Sequence, residues 1–399
     1  MWAAAGRPLV GNLTTVTASV PAFTTLLVGL RLAERAAAEG KAESVEDAFL
    51  AWEQMAAYAR HVVHQDRGFF GFQRVASRAA NVAGGGGKVM LSARADRQIL
   101  GNQKTDGLLG NYTSPARTSG LVAAGFPARL TAEAAAFVDE TYVPRLAKGW
   151  GRDARVLVQA LGQEQVAFEL RPNPKLDAVA SVFSRRLTKP ETVFYRHHLV
   201  EGGPRDPTAG RQARLAAVLA PRLREADPLS QPLVARLAGD ADGRSWGDVA
   251  DLLRRVAACE SVLAPASVLF SYLLTRDEAG VDEVVHDVRS LWGERLGCVH
   301  PTARLVLSNQ HWQDIASALD EGDYRRLIAS MAERNAVVMR ERGAALPWLE
   351  ITDKDRLRVR FRDEPVDLPD AATVRGLWRF PYFLPSLRAV LATVQEGRS

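Results

Sequence analysis

Along most of the chain, apolar residues recur at the three- and four-residue spacing of helices packed on one face, a pattern that predicts a mainly α protein. Pro21 to Glu39 carries it first and stops at Gly40. A second helix opens at Ser44-Val45-Glu46-Asp47, where a serine followed by acids suits a helix N-terminus. It sets Phe49, Trp52, Met55, Ala56 and Ala59 on one face as a core stripe. From 131 to 343 further helices follow, with starts at Thr131, at Thr188 with Pro190, at Ser245 and at Asp282. Interruptions fall at Pro172-Asn173-Pro174, Gly202-Gly203-Pro204, Pro228, 239–243 and Gly297. No fixed-period repeat points to a solenoid.

The pattern changes in two places. Near the C-terminus, Trp348 to Ile351 and Leu357 to Phe361 alternate as strands around Asp353-Lys354-Asp355, which predicts a β-hairpin. A final helix follows from about Phe383 to Gln395, with Trp378, Phe380 and Tyr382 as its packing anchors. Earlier, Ser92 suits the cap of a helix through about Leu100, and Asn102 to Lys104 a turn. Thr105 to Ser119 reads as a second helix broken near Pro115, and Gly120 to Leu130 as a small hairpin about Gly125-Phe126-Pro127. Helix, turn, helix and hairpin is the order of a winged helix. The expected architecture is therefore multi-helical, with a winged-helix-like module near 92–147 and a small C-terminal β-hairpin. Four regions are expected: 1–91 helical, 92–150 winged-helix-like, 151–343 a helical middle domain, and 344–399 the hairpin with the last helix.

Composition narrows the class. With 399 residues, 47% hydrophobic and 24% charged, the chain has room for several cores, and general disorder is excluded. Two cysteines, at 259 and 298, cannot frame a disulfide scaffold. Nowhere do eighteen apolar residues run together, and Thr24, Thr25 and Arg31 interrupt the stretch Val20 to Leu32. The expected location is the cytoplasm, without a membrane.

Charge singles out one segment. The net charge of +5 is not evenly spread: residues 60–130 hold ten basic residues against Asp66, Asp96 and Asp106, a net of +7. In a winged-helix order the second helix can enter a major groove while the hairpin and flanking arginines meet phosphates. The candidate nucleic-acid-binding residues are Arg74, Arg78, Lys88, Arg94, Arg97, Lys104, Asn111, Tyr112, Ser114, Arg117 and Arg129. Seven lysines among 51 basic residues also fit a GC-rich genome, and a structural or protein-contact role for the segment stands beside the DNA reading.

Catalytic signatures are mostly excluded. The glycine run ending in Gly87-Lys88 lacks the P-loop glycine, where Val82 stands, and its hydroxyl residue, where Val89 stands. For a lysine-dependent PD-(D/E)xK nuclease only Glu39-Gly40-Lys41 has the spacing, without the preceding aspartate. No His-x-Lys occurs. His61 and His64, three apart on a helix near Asp66, could share a metal but lack a third ligand, and Cys298-Val299-His300 lacks partners beyond Cys259. The sequence supports no catalytic residue, metal site or cofactor.

Several blocks do carry a resemblance. The string from Gln98 to Val122 (QILGNQKTDGLLGNYTSPARTSGLV) resembles a block of an uncharacterised bacterial protein family of anti-phage defence islands. Phe49 to Arg60, Gly68 to Val75, Arg334 to Trp348 and Leu377 to Leu387 (LWRFPYFLPSL) resemble the same family. The resemblance implies a part in prokaryotic immunity beside a helicase, nuclease or modification enzyme. The expected function is a non-enzymatic subunit of a defence or modification-linked restriction complex. Its expected partners are double-stranded DNA and other defence-system subunits. Two alternatives stay open: a nuclease with an unrecognised site, for which His61, His64, Asp66 and His300 are the candidates, and a protein-protein scaffold.

Overall fold

The computed structural model describes every residue except 84–86, 185, 224–228, 362–363, 365 and 397–399. A short helix, α1 (Trp2–Gly6), opens the chain, which builds two units: residues 10–223 with 385–399, and residues 1–9 with 224–384.

In the first unit two long helices, α2 (Val20–Ala38) and α3 (Val45–His64), lie against each other. The Ser19 hydroxyl accepts from the Ala22 N–H and starts α2 with Pro21 in its first turn; Ser44 accepts from Asp47 N–H and starts α3. Gly29 permits their close approach, because a Cβ there would stand 2.4 Å from Trp52 Cδ1 and 2.7 Å from Phe49 Cε2. Phe49, Trp52, Met55, Ala56 and Ala59 are buried, as the stripe on α3 predicts. Around this pair run α4 (Phe72–Ala83), β1 (Lys88–Leu91), α5 (Gln103–Asp106), α6 (Leu108–Thr118), α7 (Ala132–Thr141), α8 (Val143–Trp150) and α9 (Arg155–Leu161). β2 (Val166–Glu169), α10 (Pro174–Ala180), α11 (Lys189–Tyr195), a π-helical turn (Arg196–Val200) and α12 (Arg211–Leu219) complete this part of the unit. β1 pairs antiparallel with β2, Lys88 opposite Glu169 and Leu91 opposite Val166.

Buried polar groups in this unit are tied together. Gln212 donates to Asn12 Oδ1 at 2.8 Å, and Asn12 donates to Ser119 Oγ at 3.0 Å and to the His198 carbonyl at 2.8 Å. Arg145 makes a two-pronged contact with Glu191, which also closes the N-terminus of α11 through Thr188.

The second unit contains α13 (Gln231–Asp242), α14 (Gly247–Leu273), α15 (Val281–Trp292), α16 (Ala303–Val306), α17 (Gln310–Glu321), α18 (Tyr324–Glu341), the hairpin β3 (Leu349–Ile351) with β4 (Leu357–Val359), and α19 (Ala371–Gly376). In the hairpin Leu349 stands opposite Val359 and Ile351 opposite Leu357. α20 (Leu384–Glu396) ends the described chain. Among the described residues α14 is the one helix long and apolar enough to cross a membrane, and it is largely buried within its unit. Its Glu260 accepts from the Tyr382 hydroxyl at 2.7 Å and from the backbone N–H groups of Arg379 and Phe380.

The protein is thus mainly α with a small C-terminal β-hairpin, but three local expectations change. Residues 92–100 form turns instead of a helix, because Ser92 is bound on both backbone groups by Gln54 of α3: it donates to Oε1 at 3.1 Å and accepts from Nε2 at 2.8 Å. α6 runs through Pro115 without ending there. Gly120 to Leu130 closes through one bridge, Val122 to Leu130, and forms no two-stranded wing. The division is also different from four consecutive regions: the boundary expected at 150 falls inside the first unit, where α8 packs on α10.

Candidate nucleic-acid interface

The segment Gly68-Phe69-Phe70-Gly71 turns the chain from α3 into α4. At Gly71 φ is +79°, and a Cβ would meet the Ile99 carbonyl oxygen at 2.6 Å, so glycine lets this turn lie against the 93–100 loop. α4 then presents Arg74 and Arg78, one helical turn apart, to the same loop. Arg74 Nη1 donates to the carbonyls of Gln98 and Leu100, both at 3.0 Å; Arg78 donates to the carbonyls of Asp96 at 2.9 Å and Arg97 at 2.5 Å. The loop itself carries Arg94 and Arg97, both exposed. Arg94 lies 3.5 Å from Asp96 and 3.6 Å from Glu164, and Arg97 lies 3.2 Å from the same Asp96.

Four arginines from two segments thus share one face with two carboxylates. Carbonyl oxygens satisfy the hydrogen bonds of Arg74 and Arg78 without cancelling their charge. Exposed ion pairs such as those of Arg94 and Arg97 contribute only about 0–1 kcal/mol, so little free energy holds these carboxylates in place.

The other seven candidates are placed apart from one another in role. Lys88 is exposed on β1 opposite Glu169. Lys104 is paired with Glu46. Asn111 donates back to the carbonyls of Asp106 and Gly107, and Arg117 holds the following loop through the carbonyls of Ala123 at 3.2 Å and Gly125 at 2.6 Å. Ser114 and Arg129 are exposed. Tyr112 is a correction: it is 2% exposed, its hydroxyl donates to the Val16 carbonyl at 3.0 Å, and burial pushes that phenol up to about 12. With Thr113, Pro115 and Ala116 also buried, α6 offers its length to the core, not to a groove.

Beside the turn at 68–71 lies a cleft of about 320 Å³, walled by Phe69, Phe70 and Tyr112, with Ala57 at its side and Glu53 and Arg60 among its polar groups. Glu53 is fully buried on α3; one oxygen accepts from the Leu108 N–H at 2.9 Å, the other from Gln103 at 2.8 Å. Burial pushes its carboxyl up to about 7 against the pull of those two donors. Arg60, 3% exposed, donates from Nε and Nη2 to Asp66 and from Nη2 to the Gly68 carbonyl, and its guanidinium stands 5.2 Å from the Phe69 ring centre. Burial raises the Asp66 carboxyl, but Arg60 and the N–H groups of Gly68 and Arg67 outweigh it and hold it below the usual carboxylate range. The sequence signals were a glutamate in the apolar helix Phe49 to Arg60 and an aromatic pair between glycines; neither pointed to a cavity until α3 and the turn were set side by side.

The histidines diverge. His64 Nε2 meets the Ala180 carbonyl at 2.9 Å, whereas the His61 ring packs edge-on to Phe72 at 5.5 Å. His300, in the other unit, is bound by Thr302 at 2.9 Å. Among the described residues no group of three His, Cys, Asp or Glu side chains could hold a metal ion. Comparison of the chain with protein-family models, with curated proteins and with solved structures finds no match.

Proposed function

We propose that the protein is a non-enzymatic subunit of a prokaryotic anti-phage defence complex that holds the phosphate backbone of double-stranded DNA on the face formed by α4 and the 93–100 loop. The observation that carries this reading is the gathering of Arg74, Arg78, Arg94 and Arg97, two of them fixed by backbone carbonyls, on a segment with a net charge of +7. The defence setting comes from the sequence resemblance. Four neutralised phosphates would give log affinity a slope of roughly −3 to −4 against log salt. Anisotropy titrations of a labelled duplex at several salt concentrations test it: Arg94→Glu/Arg97→Glu should weaken binding at least tenfold and flatten the slope. An absence of binding at low salt removes the reading.

A scaffold role has its own support in the second unit. There a groove of about 350 Å³ is lined by Trp312, Trp348, Phe270, Met331 and Met339, an aromatic and thioether surface suited to a protein partner. Co-purification with the products of neighbouring genes, lost in Trp312→Glu, would favour it.

A further inference from the structure

We infer that the cleft between α3, α6 and the 68–71 turn is a binding site for a neutral, planar heteroaromatic base of the nucleobase class. Its walls carry the first part of the case. Phe69 and Phe70 are half-buried, and Phe70 stands edge-on to Tyr112 with ring centres 6.2 Å apart, so a flat ring entering the cleft meets aromatic faces and edges. Its polar groups carry the second. Arg60, almost wholly buried, uses Nε and Nη2 on Asp66 and Gly68 and lines the cleft with its guanidinium side chain. Glu53 lines the same space with lone pairs beyond the one hydrogen bond each oxygen accepts.

Arg60 is balanced by Asp66, and the buried Glu53 carboxyl, pushed up to about 7 by desolvation, adds no positive charge. A phosphate would find no net positive charge, whereas a neutral ring bearing both a donor and an acceptor would find a partner for each. The volume, about 320 Å³, is at the lower end for small-molecule sites. One base fits this description, supplied either as a free nucleoside or as a base drawn from a strand. The strand source rests on the reading of the arginine face given above; the turn 68–71 joins the cleft wall directly to α4.

Calorimetric titration of the full chain with adenosine, guanosine, cytidine and thymidine tests the site without phosphate. At least one should bind at sub-millimolar concentration, with the same affinity at 0.05 and 0.3 M salt as roughly set limits of low and high screening. Ala57→Leu, which fills the cleft, and Phe70→Ala, which removes a wall, should each weaken it at least tenfold; Arg94→Glu/Arg97→Glu should leave it unchanged. In a second arm, a duplex carrying one 2-aminopurine should brighten on binding, and the change should disappear in Ala57→Leu. Nucleoside binding without that change assigns the site to free bases. Nucleoside binding without duplex binding removes the DNA reading and keeps the cleft. No saturable binding of any nucleoside, or binding indifferent to both cleft variants, overturns the inference.

Discussion

Arg60 and Asp66 form a pair in which Nε and Nη2 of the arginine both reach one carboxylate oxygen, at 2.9 and 2.7 Å, while the other oxygen accepts the Gly68 N–H at 2.7 Å. The contact locks the end of α3 to the turn that leads into α4. It couples the cleft wall to the helix that carries Arg74 and Arg78.

Removing the acid alone leaves a buried guanidinium uncompensated. Asp66→Ala should cost about 3 kcal/mol at pH 7, the lower end for a broken buried pair because Asp66 is a third exposed. Since the folded carboxyl is held below its unfolded value, its contribution is present above about pH 4 and is lost as pH falls through the folded value. Urea unfolding at pH 7 and pH 3 should therefore show the variant's deficit shrinking in acid. An equal deficit at both pH values would contradict the pairing.

Glu53 should act in the opposite sense. Its carboxyl rises from 4.5 to about 7 on folding, so between those values the folded state keeps a proton that the unfolded chain releases. Stability should fall by about 3 kcal/mol as pH rises across that window. Glu53→Gln should abolish the slope. Urea midpoints at pH 5, 6, 7 and 8 measure it, and parallel profiles for the two proteins would refute the burial of a titrating group at this position.

Gly29→Ala tests the approach of α2 and α3. Alanine improves helix propensity by about 1 kcal/mol, but its Cβ would stand 2.4 Å from a buried Trp52 ring that has no room to withdraw. Overpacking of this kind costs about 1–3 kcal/mol, and a net loss of up to about 2 kcal/mol is expected in chemical denaturation. A stabilised variant would show that the two helices are not in contact there.

Lys104 separates a local face from general basicity. It lies in the basic segment, yet Glu46 already pairs with it at the surface. Lys104→Ala should change stability by less than about 0.5 kcal/mol and duplex affinity by less than twofold in the anisotropy assay used for Arg94→Glu/Arg97→Glu. A loss as large as that of the double variant would extend the face to α5.

Helix starts were legible where a side chain closes the first turn locally, as at Ser44, Thr131 and Thr188, whereas the helices expected from Ser245 and Asp282 begin at Gly247 and Val281 without a side-chain cap. The C-terminal hairpin was legible for the same reason: Leu349 and Val359 are brought together by a turn of local residues. Long-range partners were not. β1 finds β2 some eighty residues on, and each strand is four residues, too short for its alternation to stand out. Ser92 reads as a helix cap until Gln54, from α3, takes both of its backbone groups. Of the candidate face, Arg74 and Arg78 were visible as members of the basic segment, and the helix that sets them one turn apart came only with the fold. Their meeting with Arg94 and Arg97 depends on the loop docking on α4, and Tyr112 was misplaced because its apolar ring outweighs its hydroxyl once α6 packs against Phe23.

The carbonyl grip on Arg74 and Arg78 also bears on how a ligand would be met. A free arginine loses up to about 2 kcal/mol of rotamer freedom when a phosphate immobilises it. Here each guanidinium is already fixed when the chain folds, by oxygens that carry no charge to be displaced. An anion arriving at α4 would find two immobile cations, and that part of the ordering cost would fall on folding and not on recognition.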